Sequence, residues 1–370
     1  MRPPQPPPHR RIRWFDRYRR AVLAGGITLV VIGVIGVAYA VQRPDDDTGA
    51  DTGASASGPA SSGAGSDPSS ASATPAPSAS SSLSATATPK PSPSSAVPPA
   101  AGGPWPNAAN TGVPSGTKLT TYTGPCTITS AGTVIDAKTV NCDSLDIRAA
   151  NVTIKRSKIN GAVSLDTDAS GSSKWSYTLV DSEVDAGLRQ YPAVSYGNMK
   201  VIRTEVRGGG ASVQCGEHAI SCTVEDSWLH SQLIPDNANW HLDGFLSNGG
   251  RNIRIRHNTI ACDPPTAPPG EGCTADLALL GDFGPITDVV IDSNYFPWSK
   301  TSSYCLYGGD APSKPYPRAT YVVITNNVFQ RGPNRKCAAY GAVTGFNVNG
   351  TGNRWANNKW DDGSPVPPQN

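Results

Sequence analysis

Cysteine is absent from the first 125 residues, and between residues 42 and 103 large apolar side chains are almost absent too. The second absence rules out a packed core there. A stretch of Ser, Ala, Pro, Thr and Gly buries too little to offset its ordering entropy, so it is expected to be a disordered linker, stiffened in places by proline. An excess of one charge is also missing: residues 104–370 carry 22 basic and 23 acidic side chains. That balance excludes the basic face nucleic-acid binding needs, so no nucleic-acid partner is expected. No segment of ten or more residues repeats apolar side chains at helical spacing, which argues against a helical solenoid. No glycine motif for nucleotides occurs, and no Cys/His spacing fits zinc.

One long apolar run is present. Seven arginines (Arg2, Arg10, Arg11, Arg13, Arg17, Arg19 and Arg20) precede the uncharged segment 21–41. Twenty-one residues at about 1.5 Å each reach about 30 Å, the thickness of a bilayer core. Arginines before the run and Asp45, Asp46 and Asp47 after it place the N-terminus in the cytoplasm and the rest outside. Residues 1–20 are then a basic cytoplasmic tail, 21–41 a transmembrane signal anchor and 42–103 the linker. Ala38-Tyr39-Ala40 offers the rival reading, cleavage after Ala40 and secretion. Both export the remainder, and all eight cysteines lie in that exported part, as disulfides do.

From residue 104 the chain repeats itself. Eight segments align on Ile154, Leu179, Val201, Val224, Ile255, Ile291, Ile324 and Trp355. Three residues on stand Ser157, Ser182, Thr204, Ser227, Asn258, Asn294, Asn327 and Asn358. Five residues on stand Ile159, Val184, Val206, Leu229, Ile260, Phe296, Phe329 and Trp360. The steps are 25, 22, 23, 31, 36, 33 and 31 residues. Constant columns with variable spacing predict stacked coils whose surplus residues leave as loops on one side. The polar column predicts a bend where Ser and Asn bond to backbone and stacked Asn bond to one another. The fold class is therefore all-β, a single-stranded right-handed parallel β-helix over 104–362, with a tail at 363–370. A sandwich or propeller is the rival. The start PWPNAANTGVPSGTKLT is a candidate cover for the first coil.

The repeat also pairs the cysteines. Cys215 and Cys222 flank a short loop, and Cys262 and Cys273 close an insertion. Cys305 and Cys337 fall at matching places on adjacent coils, which leaves Cys126 for Cys142.

The columns, with GGRNIRIRHNTI, WHLDGFLSNGG and the PWPNAANTGVPSGTKLT start, resemble secreted bacterial proteins of the pectin-lyase-like superfamily. That resemblance covers about 104–362. It implies the right-handed β-helix and a function among lyases, glycoside hydrolases and non-catalytic adhesive proteins. The NTD, GHG and RIK hallmarks of polygalacturonases are absent, which argues against a standard pectin hydrolase. His241-Leu242-Asp243-Gly244 is similar to an H-x-D-G turn on the active face of many members.

If the strands before each anchor stack, Asp243 and Asp276 start successive coils about one strand spacing apart. Such a pair suits a retaining glycosidase, or a Ca²⁺ site of the kind lyases use to hold uronate carboxylates. His241 shares a face with Asp243 and suits general acid–base work. The plainer role for either aspartate is a turn cap, and for His257, His230 and His218 a structural hydrogen bond. Arg251, Arg254, Arg256 and Lys300 are lyase-base candidates by location, and Arg254 and Arg256 also read as solvated surface. Trp240, Tyr295, Trp298, Tyr304 and Tyr307 cluster near the longest repeats and suit sugar stacking or loop packing. Of these, Trp240, Arg251, Trp298, Lys300, Tyr304 and Tyr307 form the expected substrate-binding set. The expectation is a monomeric, membrane-anchored protein acting on polysaccharide as a lyase or hydrolase, with a non-catalytic glycan-binding or adhesive module as the alternative.

Overall fold

The computed structural model describes residues 105–236, 238–265 and 272–369. The basic tail, the apolar run 21–41 with its cleavage alternative, and the linker 42–103 lie outside the described residues. Among the described residues no helix is long and apolar enough to cross a membrane.

Those residues are all-β with parallel ladders. Apart from one 3₁₀ turn, Ser172–Lys174, each regular element is a strand. One sheet has nine strands and the other seventeen. In the nine-stranded sheet the aligned residues pair in one unbroken file: Ile135, Ile154, Leu179, Val201, Val224, Ile255, Ile291, Ile324 and Trp355. Eight of these are the sequence column. Ile135 heads the file as a ninth, and it escaped the sequence pattern because Lys138 stands where later coils carry Ser or Asn. Lys138 still joins that column through its backbone, donating its N–H to Ser157 Oγ at 3.0 Å.

The second apolar column stacks likewise, through Val140, Ile159, Val184, Val206, Leu229 and Ile260, and then from Phe296 through Phe329 to Trp360. Both columns fill the interior. The rings of Phe296 and Phe329 stack at 4.8 Å, and burying each such ring contributes about 1.5–3 kcal/mol.

Between the two columns every coil makes the same turn. The residue before the polar position is left-handed at Arg156, Asp181, Arg203, Asp226, His257, Ser293, Asn326 and Asn357. Each non-glycine residue so held costs about 1–2 kcal/mol. The buried polar ladder offsets that. Asn258 donates both its main-chain N–H and its Nδ2 to Asn294 Oδ1 at 3.0 Å, and Asn294 and Asn327 repeat the pattern onto Asn327 and Asn358. Each Nδ2 also reaches a carbonyl of the preceding coil, Val224, Ile255 or Ile291. Ser and Thr make the shorter rungs of the early coils. Their smaller side chains donate back to the carbonyl two residues before.

Two end segments differ from the sequence reading. The PWPNAANTGVPSGTKLT segment does not cap the first coil but runs along the outside of the stack: Trp105 packs on Tyr295, Gly112 bonds to Arg203, and only Thr120–Thr121 pairs with the first full coil. At the other end 363–369 is no loose tail. Val366 is buried in the core, its N–H donates to the Asn358 carbonyl at 3.0 Å, and its carbonyl accepts from Trp355 Nε1 at 3.0 Å. Trp355 and Trp360 would otherwise present aromatic surface to water.

Candidate functional site

The site grows from a register slip. Strand His241–Ser247 pairs with Gly272–Leu279, and the register shifts between Leu242 and Asp243. Beyond the slip Asp243 lies level with Ala275 and Phe245 with Leu277, so Asp276 falls level with Gly244. Gly244 permits this approach, since a Cβ there would meet the Asp276 carbonyl at 2.5 Å and the Ala261 carbonyl at 2.8 Å. A one-residue offset reverses side-chain direction. The two aspartates therefore do not form the carboxylate pair expected from the sequence.

Asp276 is fully buried. Its Oδ1 accepts the Cys262 N–H at 2.8 Å and the Ser302 hydroxyl at 3.0 Å, while Oδ2 has no partner. Its nearest ligand-type neighbours are the sulfurs of the Cys305–Cys337 disulfide, within 4.8 Å. Burial pushes the carboxyl well above the ordinary range against the pull of the Cys262 N–H and the Ser302 hydroxyl. A hard cation wants several oxygens, and this donor set, sealed and rich in sulfur, does not fit Ca²⁺. The Asp243–Asp276 calcium site is thus a correction, and so is the role of Asp276 in catalysis: it is an internal hydrogen-bonding residue.

Asp243 sits on the row Ala211, Asp243, Ala275, Tyr304. Ala211 and Ala275 belong with Leu246 and Ala278 to a small cluster outside the main core, against which Leu280 and Tyr307 pack. Asp243 is 2% exposed, and its Oδ1 accepts the Ala275 N–H at 3.2 Å. Burial raises its carboxyl well above the usual range; the Ala275 N–H opposes this, the Asp276 charge adds to it, and Lys314 opposes it. Lys314 is itself clamped to Asp282 at 2.9 and 3.1 Å.

Near Asp243 stands Tyr307, which leads to two further tyrosines. The Tyr304 and Tyr307 rings meet edge to face at 5.4 Å, and Tyr304 lies 5.9 Å from Tyr340, whose side chain is largely exposed. Burial, then the neighbouring Tyr304, Asp243 and Tyr340, push the Tyr307 phenol up to about 12. Tyr307 thus stays neutral at physiological pH, and the three rings present flat apolar faces with hydroxyl edges. Tyr304 and Tyr307 were expected from the sequence; Tyr340 and Lys314 were not, since each is brought in by a loop that no repeat column marks.

The other sequence candidates fall elsewhere. His241 is exposed, level with Gly272 at the mouth of the strand. Trp240 packs against Ile234, Leu242, Cys262 and Cys273, and Trp298 lies against Gly332 with Nε1 buried and unpaired. Arg251 and Lys300 are exposed, with no ion pair among the described residues. Arg254 bonds Asp288 at 2.8 Å, and Arg256 lies 3.7 Å from Glu225. His257, His230 and His218 each hold a carboxylate, of Asp226, Glu205 and Asp168. All four disulfides pair as the sequence spacing predicted: Cys126–Cys142, Cys215–Cys222, Cys262–Cys273 and Cys305–Cys337.

Compared with protein-family models, curated proteins and solved structures, the chain matches none.

Proposed function

We propose that this chain is an exported right-handed parallel β-helix of the pectin-lyase-like superfamily, held at the membrane by residues 21–41, whose tyrosine face binds polysaccharide. The carrying observation is the cluster of Tyr304 and Tyr307 on one strand with Tyr340, which reaches Tyr304 from the next coil. Rings on a rigid sheet offer stacking surfaces at little conformational cost, which suits the flat faces of pyranose units. Binding is favoured over cleavage because Asp243, the carboxyl that interacts with Tyr307, is sealed against a backbone N–H and has no second carboxylate on its row among the described residues.

The test is binding of the purified full chain to a panel of neutral and acidic polysaccharides by affinity electrophoresis. Retardation by at least one glycan, lost in Tyr304→Ala with the fold retained, is expected. Equal retardation of the variant would remove the tyrosine face from the account.

One observation favours cleavage as a second reading: burial raises the Asp243 carboxyl well above its ordinary range, the direction a general acid needs, and Tyr307 interacts with it. Under that reading the panel yields new reducing ends or unsaturated uronates, and Asp243→Asn abolishes them.

A further inference from the structure

A different face carries a second strip of ring-bearing residues, and it is covered. Glu183, Glu205, Trp228, Thr259 and Tyr295 lie in one register file. Segment 105–112 crosses that file. Trp105 stacks on Tyr295 with centroids 5.4 Å apart and planes 17° apart, and lies 5.6 Å from the His257 ring. Gly112 donates its N–H to the Arg203 carbonyl at 3.1 Å. It holds φ +83, and a Cβ there would press on the Glu183 side chain at 3.1 Å, so glycine lets the segment lie flat. Between these anchors residues 107–110 are exposed. Their turn closes partly on itself, Asn107 Oδ1 accepting from the Ala109 N–H and Asn110 Oδ1 from the Asn107 N–H.

The covered file is not fully satisfied. His257 Nε2 and Thr259 Oγ1 are buried and have no hydrogen-bond partner. His257 commits Nδ1 to Asp226 at 2.7 Å, and Thr259 lies level with both Trp228 and Tyr295. A buried polar atom without a partner disfavours the state that contains it. Trp228 is held flat by His230, stacked on it at 3.5 Å. Trp228 and Tyr295 are two rungs apart, about 9.6 Å at the usual strand spacing, a length comparable with a disaccharide unit.

We propose that Trp228, Thr259, Tyr295 and His257 form a second glycan-binding strip, and that segment 105–112 masks it, Trp105 occupying the place of a sugar ring. When the segment lifts, a pyranose stacks on Tyr295, and its hydroxyls bond to Thr259 Oγ1 and His257 Nε2. The segment continues directly from linker 42–103, so whatever draws on the linker bears first on Trp105. This inference shares a ligand class with the tyrosine face but none of its residues.

The test is calorimetric titration of the full chain with cellohexaose. Removing a competitor that keeps the open state rare should tighten binding about tenfold in Trp105→Ala. The gain should vanish when Tyr295→Ala is added and persist when Tyr304→Ala is added, which separates this strip from the tyrosine face. Equal affinity of wild type and Trp105→Ala, no binding by either, or a gain that survives Tyr295→Ala overturns the proposal. Hydrogen exchange on the wild type needs no variant to fold. Amides of residues 107–112 should exchange faster with cellohexaose present, and unchanged protection at saturating sugar also overturns it.

Discussion

An Asp276 carboxylate oxygen lies within 4.8 Å of the Cys305 sulfur; Oδ1 takes two hydrogen bonds and Oδ2 takes none. Burial makes a carboxyl so placed hold its proton more tightly in the fold than in the unfolded chain. Its folded value is raised above the ordinary 3.8, so the folded state binds the extra proton. Its effect on stability is therefore nil below the ordinary value and increasingly unfavourable as pH rises from there toward the folded value. Asp136, Glu205 and Asp362 are held low, Asp136 by Arg156, Glu205 by His230 and Asp362 by Ser364, and act in the opposite direction on acidification. Comparison of variants isolates Asp276: the fall in Tm between about pH 4.5 and about pH 8 should be smaller in Asp276→Asn than in the wild type. An identical fall in both would mean that the fold does not raise the carboxyl's affinity for its proton.

Asn294→Ala should be the costliest single change in the polar ladder. It deletes donors to Asn327 Oδ1 and the Ile255 carbonyl and strands the Asn258 N–H and Nδ2 that its Oδ1 accepts. With these four bonds and the Nδ2 bond to the Asp292 carbonyl lost, and buried groups left unpaired, urea unfolding should show a loss of about 3 kcal/mol. Asn326→Ala, one residue from the same column but exposed, should cost well under half as much.

Gly244→Ala tests the register slip. A methyl group there would strike two backbone carbonyls, which cannot move aside as a flexible side chain can. Destabilisation by about 2–4 kcal/mol is expected from overpacking between coils. A near-neutral result by thermal denaturation would show that strand His241–Ser247 sits farther from its neighbour than described.

Truncation after Gly363 removes Val366 from the core and the acceptor of Trp355 Nε1. Loss of one buried valine, its two hydrogen bonds and those that Ser364 makes to Trp360, Arg331 and Asp362 should lower stability by about 2–4 kcal/mol. The open end should also promote association, seen as added mass in light scattering.

The parts of this fold that were readable from the sequence are those where one physical demand recurs. Ile154 to Trp355 must each fill the interior at one place, so they align whatever lies between them. Cys262 and Cys273 are drawn together by a short insertion, and Cys305 and Cys337 by the repeat itself. The site was less readable because it depends on breaks in the pattern. A single-residue slip at Asp243 turned an expected carboxylate pair into two separately buried groups, and only the glycine beside it hinted at the change. Trp105 belongs to no repeat, so nothing in its neighbourhood shows that its partner is Tyr295, 190 residues away.

The steps between coils range from 22 to 36 residues, yet the file from Ile135 to Trp355 is unbroken. Interior and exterior are thus specified independently. A coil can gain or lose a dozen residues at its margin without its neighbours having to compensate. Such a frame is modular: surface loops can diversify by insertion and deletion as well as by substitution, while the threaded centre stays under its own separate constraint.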